Sequence, residues 1–401
     1  VDREHEINAF VPVEYWTIST DFSSESNKDK FKAELVQIPK QKGKLSIKNE
    51  DDALQIISEL DSANYIVSKY ETKPVIRRPS APFITSTLQQ EASRKLRFTS
   101  SRTMSLAQQL YEGIPLGSDE LDGLITYMRT DSTNVSTLAL EETTKYIKAE
   151  FGNAYTLSKP RSFSKKVKGA QEAHEAIRPT STMRTPESIQ RYLDPDQFKL
   201  YELIWKRMVS SQMTDSIYDR TTVEITASSD EEYVFRATGS VLKFDGFRKL
   251  YIEQQDDVKD DESNESTMPL LSLNQKVSCG KLMPDQHFTE HPPRFNEASL
   301  IKTLEKEGIG RPSTYATIVQ TIVSREYVQK TQGRFEPSKL GIIVSDFLKK
   351  HFENIMDIGF TSAMEKKLDD VANGTIAWNP MLREFYQPFD ETVIEVEGNA
   401  E

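Results

Sequence analysis

Tyr127 and Arg129 stand two residues apart in the run Leu-Ile-Thr-Tyr-Met-Arg-Thr-Asp-Ser, positions 124 to 132. Leu124 and Ile125 predict the end of a buried strand, and Ser132, Thr133, Asn134 and Ser136 interrupt the pattern before a helix begins. The tyrosine is therefore expected where a rigid strand runs out into a polar turn. In extended chain the side-chain period is two, so Arg129 is expected on the same side as Tyr127. A phenol beside a guanidinium suits attack on a phosphate: the phenolic oxygen is the nucleophile, and the planar cation can pair with two phosphate oxygens. The same spacing also fits a tyrosine that is simply packed, with its arginine on a neighbouring strand.

Two further groups bear on a phosphate. His174 and Arg178 lie in Gln-Glu-Ala-His-Glu-Ala-Ile-Arg-Pro-Thr, positions 171 to 180. Four apart, they are expected to share a helix face, with Pro179 ending that helix. Such a histidine can donate to a phosphate, relay a proton, or be an ordinary surface residue. Arg311, Ser313 and Thr314 crowd the start of a helix that has Pro312 in its first turn and Tyr315, Ile318, Val319, Ile322 and Val323 as its stripe. Free N–H groups and the helix dipole favour an anion there, although Ser or Thr also caps helices that bind nothing.

The elements that must hold these residues follow from pattern. Tyr15 to Ser19, Phe31 to Leu35 and Tyr65 to Ser68 alternate as half-buried strands, as do Thr222 to Thr226 and Tyr233 to Ala237. A short helix is expected from about 51 to 60, and Arg77 to Pro82 is a rigid linker because two prolines exclude a helix. Thr85 can cap a helix carrying Leu88, Ala92 and Leu96. Ser100 or Ser101 can cap a second, with Gly113 past its end. Helix, turn, helix, strand is a winged-helix order. Leu140, Thr144, Ile147 and Phe151 predict an amphipathic helix. Asn296 is an expected cap, with Phe295 and Leu300 as its staple, and Gln332-Gly333 is an expected hairpin turn.

The 401 residues allow several domains with sizeable cores. No run of eighteen apolar residues occurs, so no membrane-spanning helix is expected, and no signal peptide is read. The one cysteine, Cys279, excludes an internal disulfide and a four-ligand zinc site, and fits a reducing cytoplasm. A net charge of −11 sits oddly with a phosphate-rich partner, but residues 251 to 266 alone carry −6 and read as a solvated loop. Residues 159 to 178 carry Lys159, Arg161, Lys165, Lys166, Lys168 and Arg178, a basic stretch that ends at the histidine motif.

Four segments, in order, resemble the type IA DNA topoisomerases. They are Phe-Ile-Thr-Ser-Thr-Leu-Gln-Gln-Glu-Ala at 83 to 92, Ile125 to Ser132, the histidine motif, and 294 to 318 with Gly-Ile-Gly-Arg-Pro-Ser-Thr-Tyr-Ala-Thr-Ile. The resemblance implies a multidomain α+β fold: a toroidal core with a β-rich arch domain and winged-helix-like helical domains. Residues 1–14 would begin the helical gate domain, and 15–77 with 215–283 would form the arch. Residues 78–214 would be the inserted tyrosine domain, and 284–401 the gate domain's helical remainder. It implies ATP-independent cleavage of one DNA strand through a 5′-phosphotyrosine link, passage of another strand and resealing, which relaxes negative supercoils. Tyr127 would be the nucleophile and Arg129 its phosphate-binding partner. His174 would hydrogen-bond the phosphate with Arg178 in support, and Lys168, Arg311, Ser313 and Thr314 would contact the DNA backbone.

The family's Mg²⁺ is held by Glu and Asp-x-Asp carboxylates of a TOPRIM domain, and no segment here resembles one. The sole Asp-x-Asp, Asp194-Pro195-Asp196, suits a helix start better than a metal-bearing strand end. The expectation is a core fragment, without TOPRIM domain or zinc-ribbon tail, that binds single-stranded DNA as a cytoplasmic monomer. It is expected to hold no metal itself and not to relax supercoils alone. Two rival readings stand beside it. One is a non-catalytic winged-helix DNA-binding module. The other is a tyrosine recombinase or type IB enzyme, whose histidine and arginines are expected ahead of a late tyrosine, the reverse of the order here.

Overall fold

Alternating strands from the two β-rich stretches pair into one seven-stranded antiparallel sheet. Its order is Asn64–Arg77, Ser216–Ser228, Glu232–Phe244, Lys30–Gln37, Glu14–Ser24 and Val277–Cys279, with Met283–Phe288 also pairing on Glu14–Ser24. The computed structural model describes residues 1–24, 29–39, 41, 43, 45–117, 120–163, 174–228, 231–253 and 267–398. Lys165, Lys166, Lys168 and nearly all of the acidic run therefore lie outside the described residues. Among the described residues no helix is long and apolar enough to cross a membrane.

Among the described residues, three separate buried clusters organise the chain. The first lines the sheet, where Phe22 is wholly buried and meets Phe31, Tyr65 and Phe235 at ring separations of 6.1, 5.4 and 5.5 Å. Burying such a side chain stabilises by roughly 1.5–3 kcal/mol. The Glu50–Leu60 helix, capped by Asn49, closes the sheet's apolar side with Ala53, Ile56 and Leu60. Asn64–Arg77 and Ser216–Ser228 stay paired over their whole lengths, from Asn64↔Ser228 to Arg77↔Ser216. They leave the sheet side by side and carry the second cluster at their far end.

That cluster gathers Phe83, Leu88, Leu110, Leu124, Ile125 and Ile204, and the tail after Glu232–Phe244 joins it through Phe247 and Tyr251. The Thr85–Glu91 helix passes into a π-turn at Ala92–Leu96, which Arg97 ends in the left-handed region at φ 59. The Ser100–Glu112 helix follows, stopped at Gly113, and then a short hairpin of Ile114–Pro115 with Leu121–Asp122. The Pro195–Ser211 helix begins as its sequence predicts: Asp194 accepts from the N–H groups of Asp196 and Gln197, and Gln197 bonds back to the Asp194 N–H. The third cluster is Ile301, Tyr315, Val319 and Phe335, built on the Glu297–Lys306 and Tyr315–Ser324 helices and the Val328–Thr331/Arg334–Pro337 hairpin. Gln332 and Gly333 turn that hairpin with φ 51 and 80, the paired positive angles its sequence calls for.

Some local expectations fail. Ile84, not Thr85, is the N-cap of the Thr85–Glu91 helix, because the Thr85 hydroxyl is engaged elsewhere; Thr99 caps the next one, its Oγ1 accepting from the Arg102 N–H. Residues 174 to 178 form no helix. Their backbone pairs outward instead, Ala176 N–H to Asn134 O and Ile177 N–H to Phe83 O, and Pro179 disfavours helix at Arg178. Pro312 lies in a turn before the Tyr315–Ser324 helix rather than in its first turn, since Thr314 is the N-cap.

Candidate active site

The segment around Tyr127 is mostly irregular rather than the end of a long strand, but it is pinned at both ends. Leu124 N–H donates to Leu110 O at 2.7 Å, Thr126 N–H to Arg178 O at 2.9 Å, and Thr180 N–H to Leu124 O at 2.9 Å. Thr126 Oγ1 donates to Ala176 O at 2.6 Å and accepts from the Arg178 N–H at 3.0 Å. These bonds, with the Ile125↔Pro179 bridge, lay the histidine motif alongside the tyrosine segment. Thr85 secures the other end. Its hydroxyl shares one proton between the carbonyls of Met128 and Thr130, at 2.8 and 3.0 Å, and accepts from the Thr130 N–H at 2.9 Å.

Burial alternates along the pinned stretch. Met128 and Thr130 are 1 % and 2 % exposed, whereas Tyr127 is 45 % exposed and Arg129 is exposed. The period-two expectation holds, and a buried Tyr127 is ruled out. The Tyr127 ring stands in T-shaped contact with Tyr111, centroids 5.4 Å apart. Among the described residues, no hydrogen bond or ion pair engages the Tyr127 hydroxyl, the Arg129 guanidinium or the exposed His174 ring. A phenol and a guanidinium thus face solvent from an immobilised backbone, a geometry suited to receiving an anion.

The other predicted residues are placed differently. Arg178 is mostly buried and already paired: it reaches Glu175 at 2.6 Å, Pro179 O at 2.9 Å and Ser136 Oγ at 3.3 Å. Its side chain braces the motif, and its main chain holds Thr126. Arg311 is bidentate to Asp369, at 2.7 and 3.3 Å, and lies 3.8 Å from Glu365. The Asp369 hydrogen bond, outweighing desolvation, raises the Arg311 guanidinium above its ordinary value. Ser313 and Thr314 are exposed, with Thr314 Oγ1 accepting from the Arg311 N–H at 2.8 Å. Tyr315 is buried; its phenol is pushed up to about 12, chiefly by burial and then by Glu305, and Asp131 adds to the shift.

Sequence reasoning missed Thr85 as the brace of the site and Glu297 as its link to the C-terminal helices. Both lie inside the motifs that carried the resemblance, which was the available signal. Among the described residues no three His, Cys, Asp or Glu side chains gather as metal ligands. The described residues therefore do not offer the carboxylate set of the Mg²⁺ site that the resemblance implies.

Comparison with known proteins agrees over nearly the whole chain. The profile of the DNA topoisomerase family matches residues 1–383. DNA topoisomerase 1 of Rickettsia felis and that of Rickettsia prowazekii are each 44 % identical over 396 residues, covering 98 % of this chain and 50 % of theirs. Full-length topoisomerase I from Thermotoga maritima superimposes with a TM-score of 0.80 at 36 % identity, over 98 % of this chain and 60 % of that one. The chain therefore spans about half the length of the curated relatives it matches, and the multidomain α+β toroidal core is the observed fold class.

Proposed function

The chain belongs to the DNA topoisomerase family, and from that premise we propose that Tyr127 is the nucleophile that cleaves single-stranded DNA. The phenolic oxygen attacks a backbone phosphorus; a Tyr–O–P bond forms and the P–O3′ bond breaks. One proton leaves the phenol and one joins the departing 3′ oxygen, and resealing runs the same steps in reverse. Arg129 holds the charge that builds on the phosphate, and His174 donates to the same group. Arg178 positions rather than binds, while Arg311, Ser313 and Thr314 meet the DNA backbone. The observation that carries the reading is an exposed Tyr127 beside an unengaged Arg129 on backbone fixed by buried hydrogen bonds.

The three buried clusters support the division into an arch, an inserted tyrosine domain and a C-terminal helical domain. Mg²⁺ dependence belongs to this proposal only for a longer protein that supplies the ligands. So do strand passage and the relaxation of negative supercoils. The chain itself is proposed to act as a monomer, to prefer single strands, and to leave supercoiled plasmid unrelaxed.

The test supplies the remaining half of a Rickettsia relative in trans and follows a labelled single-stranded oligonucleotide into a detergent-resistant covalent adduct. Adduct is expected with Tyr127 and none with Tyr127→Phe. If that variant still forms adduct, the nucleophile is misassigned. If neither protein forms any while both bind single strands, the winged-helix binding module becomes the better reading.

A further inference from the structure

The cluster around Phe83, Leu110 and Ile125 and the cluster around Ile301 and Phe335 share no residue, and a polar seam runs between them. Gln90 reaches Glu305 at 3.4 Å, and Ser101 reaches Gln320 at 3.2 Å, both at the long end for hydrogen bonds. Ser86 shares a helix face with Gln90, four residues on in the Thr85–Glu91 helix. It is 2 % exposed, and its hydroxyl finds no partner among the described residues. The seam is thus tied weakly at these side chains.

One contact across it is of another kind. Glu297 is 4 % exposed; its carboxylate accepts from the Ser100 N–H at 2.6 Å and the Ser100 hydroxyl at 2.7 Å, and Lys330 Nζ bonds its second oxygen. Ser100 opens the Ser100–Glu112 helix, so an acid from one body sits where free N–H groups and the helix dipole of the other favour negative charge. Charge-assisted bonds of this type are roughly twice as strong as neutral ones. Glu297 is not needed to cap its own helix, because Asn296 already does so.

We propose that Glu297 is the latch of this seam: its carboxylate, docked on the head of the Ser100–Glu112 helix, holds the Tyr127 body closed against the C-terminal helices. Among the described residues the other hydrogen bonds across the seam are the two weak polar ones, so withdrawal of that carboxylate frees the Tyr127 body to turn on the strands that carry it. The purpose of such opening rests on the strand-cleaving function proposed above. Its test does not.

Distances are measured by pulsed electron spin resonance on the 401-residue chain without DNA. Cys279→Ser removes the native thiol, and labels go on Leu138→Cys and Ile343→Cys, at sites 80 % and 67 % exposed on the two bodies. Glu297→Gln is expected to raise the long-distance fraction about tenfold, equivalent to about 1.4 kcal/mol. Ser100→Pro, a residue tolerated at the first helical position, removes both donors and should raise it as well, and the double variant should fall short of the product of the two effects, because both disable one contact. Wild-type distance distributions in both single variants, each folded by circular dichroism, overturn the latch. Should Glu297→Gln fail to fold, Ser100→Pro decides alone: a shifted distribution supports the latch and an unshifted one rejects it. Absent cleavage with shifted distances counts against Tyr127 as nucleophile and leaves the latch standing.

Discussion

Thr85→Val removes one hydroxyl from a wholly buried position and keeps its shape, so its effect isolates what fixes the tyrosine segment. In the native structure Thr85 Oγ1 serves the Met128 and Thr130 carbonyls and accepts from the Thr130 N–H at 2.9 Å. The Thr85 N–H to Thr130 O bond, at 2.9 Å, survives the change. Thr130 is 2 % exposed, so its N–H loses its acceptor away from solvent. The lost donor bond is worth about 1 kcal/mol and the stranded N–H costs about 1–3 kcal/mol, together roughly 2–4 kcal/mol. At 1.4 kcal/mol per tenfold, local opening around residues 126 to 130 should rise about 30- to 700-fold. Amide hydrogen exchange resolved to that segment reads the opening directly, and a local readout is preferable in a chain with several cores. Thr85→Ser keeps the hydroxyl and should restore most of the protection. Wild-type exchange in Thr85→Val would mean that the backbone around Tyr127 is held by something other than this hydroxyl, and the reasoning that Tyr127 is pre-positioned would fall with it.

Arg129→Ala should slow adduct formation in the complemented cleavage assay about 100- to 1000-fold, the usual cost of losing one charge-stabilising donor. Arg129→Lys should recover only part of it, since an ammonium lacks the two-point fork. Acid should loosen the Asp2–Ala9 helix: hydrogen bonds from Arg294 to Glu4, at 2.9 and 2.6 Å, hold that carboxyl below its ordinary range. A depressed folded value means stabilisation that is present above the unfolded value of ~4.3 and lost as pH falls through the folded one. Limited proteolysis of that helix should therefore increase on descending below about pH 4, and Glu4→Gln should remove part of the pH dependence, the rest belonging to Asp2, whose carboxyl the Lys349 hydrogen bond also lowers. Gly246→Ala should disrupt the junction between sheet and tyrosine body, because a Cβ there would lie 2.3 Å from Asp215 O at φ +52. A loss of roughly 3 kcal/mol, seen as a lower melting temperature, is expected from overpacking and backbone strain.

How legible these features were depends on how far a residue's partners lie along the chain. The Asp194 cap, the Asn296 cap and the Gln332-Gly333 turn all satisfy groups within a few residues, so local chemistry predicts them. The strands were legible because alternation records burial on one face. The helix expected at 174 to 178 fails for the converse reason: local spacing allowed it, but distant acceptors on Phe83 and Asn134 claimed its N–H groups. Thr85 looked like an ordinary cap because its true partners are 43 and 45 residues away. Glu297 drew no reading at all because Ser100 is 197 residues away. The candidate site was read from its motifs, yet the contacts that pin its backbone are visible only in three dimensions.

The arginines fall into two states, and the difference has a consequence for binding. Arg129 is unengaged, whereas Arg311 must release Asp369 before its fork can take a phosphate. Asp369 thus occupies the position of the anion that Arg311 is proposed to bind. The Arg311 and Asp369 side chains are 32 % and 54 % exposed, so the pair is screened and its net worth is modest, about 0.5 kcal/mol. Removing the competitor with Asp369→Asn should therefore tighten single-stranded DNA binding about two- to threefold, and no more. Loss of any acid reduces repulsion from DNA, so Glu384→Gln, which breaks the Lys367–Glu384 pair elsewhere on the same helices, supplies the matched control. Fluorescence anisotropy at one fixed salt concentration measures both. Equal gains from the two variants would reduce the effect to general charge. Weaker binding by Asp369→Asn would show that Asp369 orients Arg311 for DNA instead of competing for it.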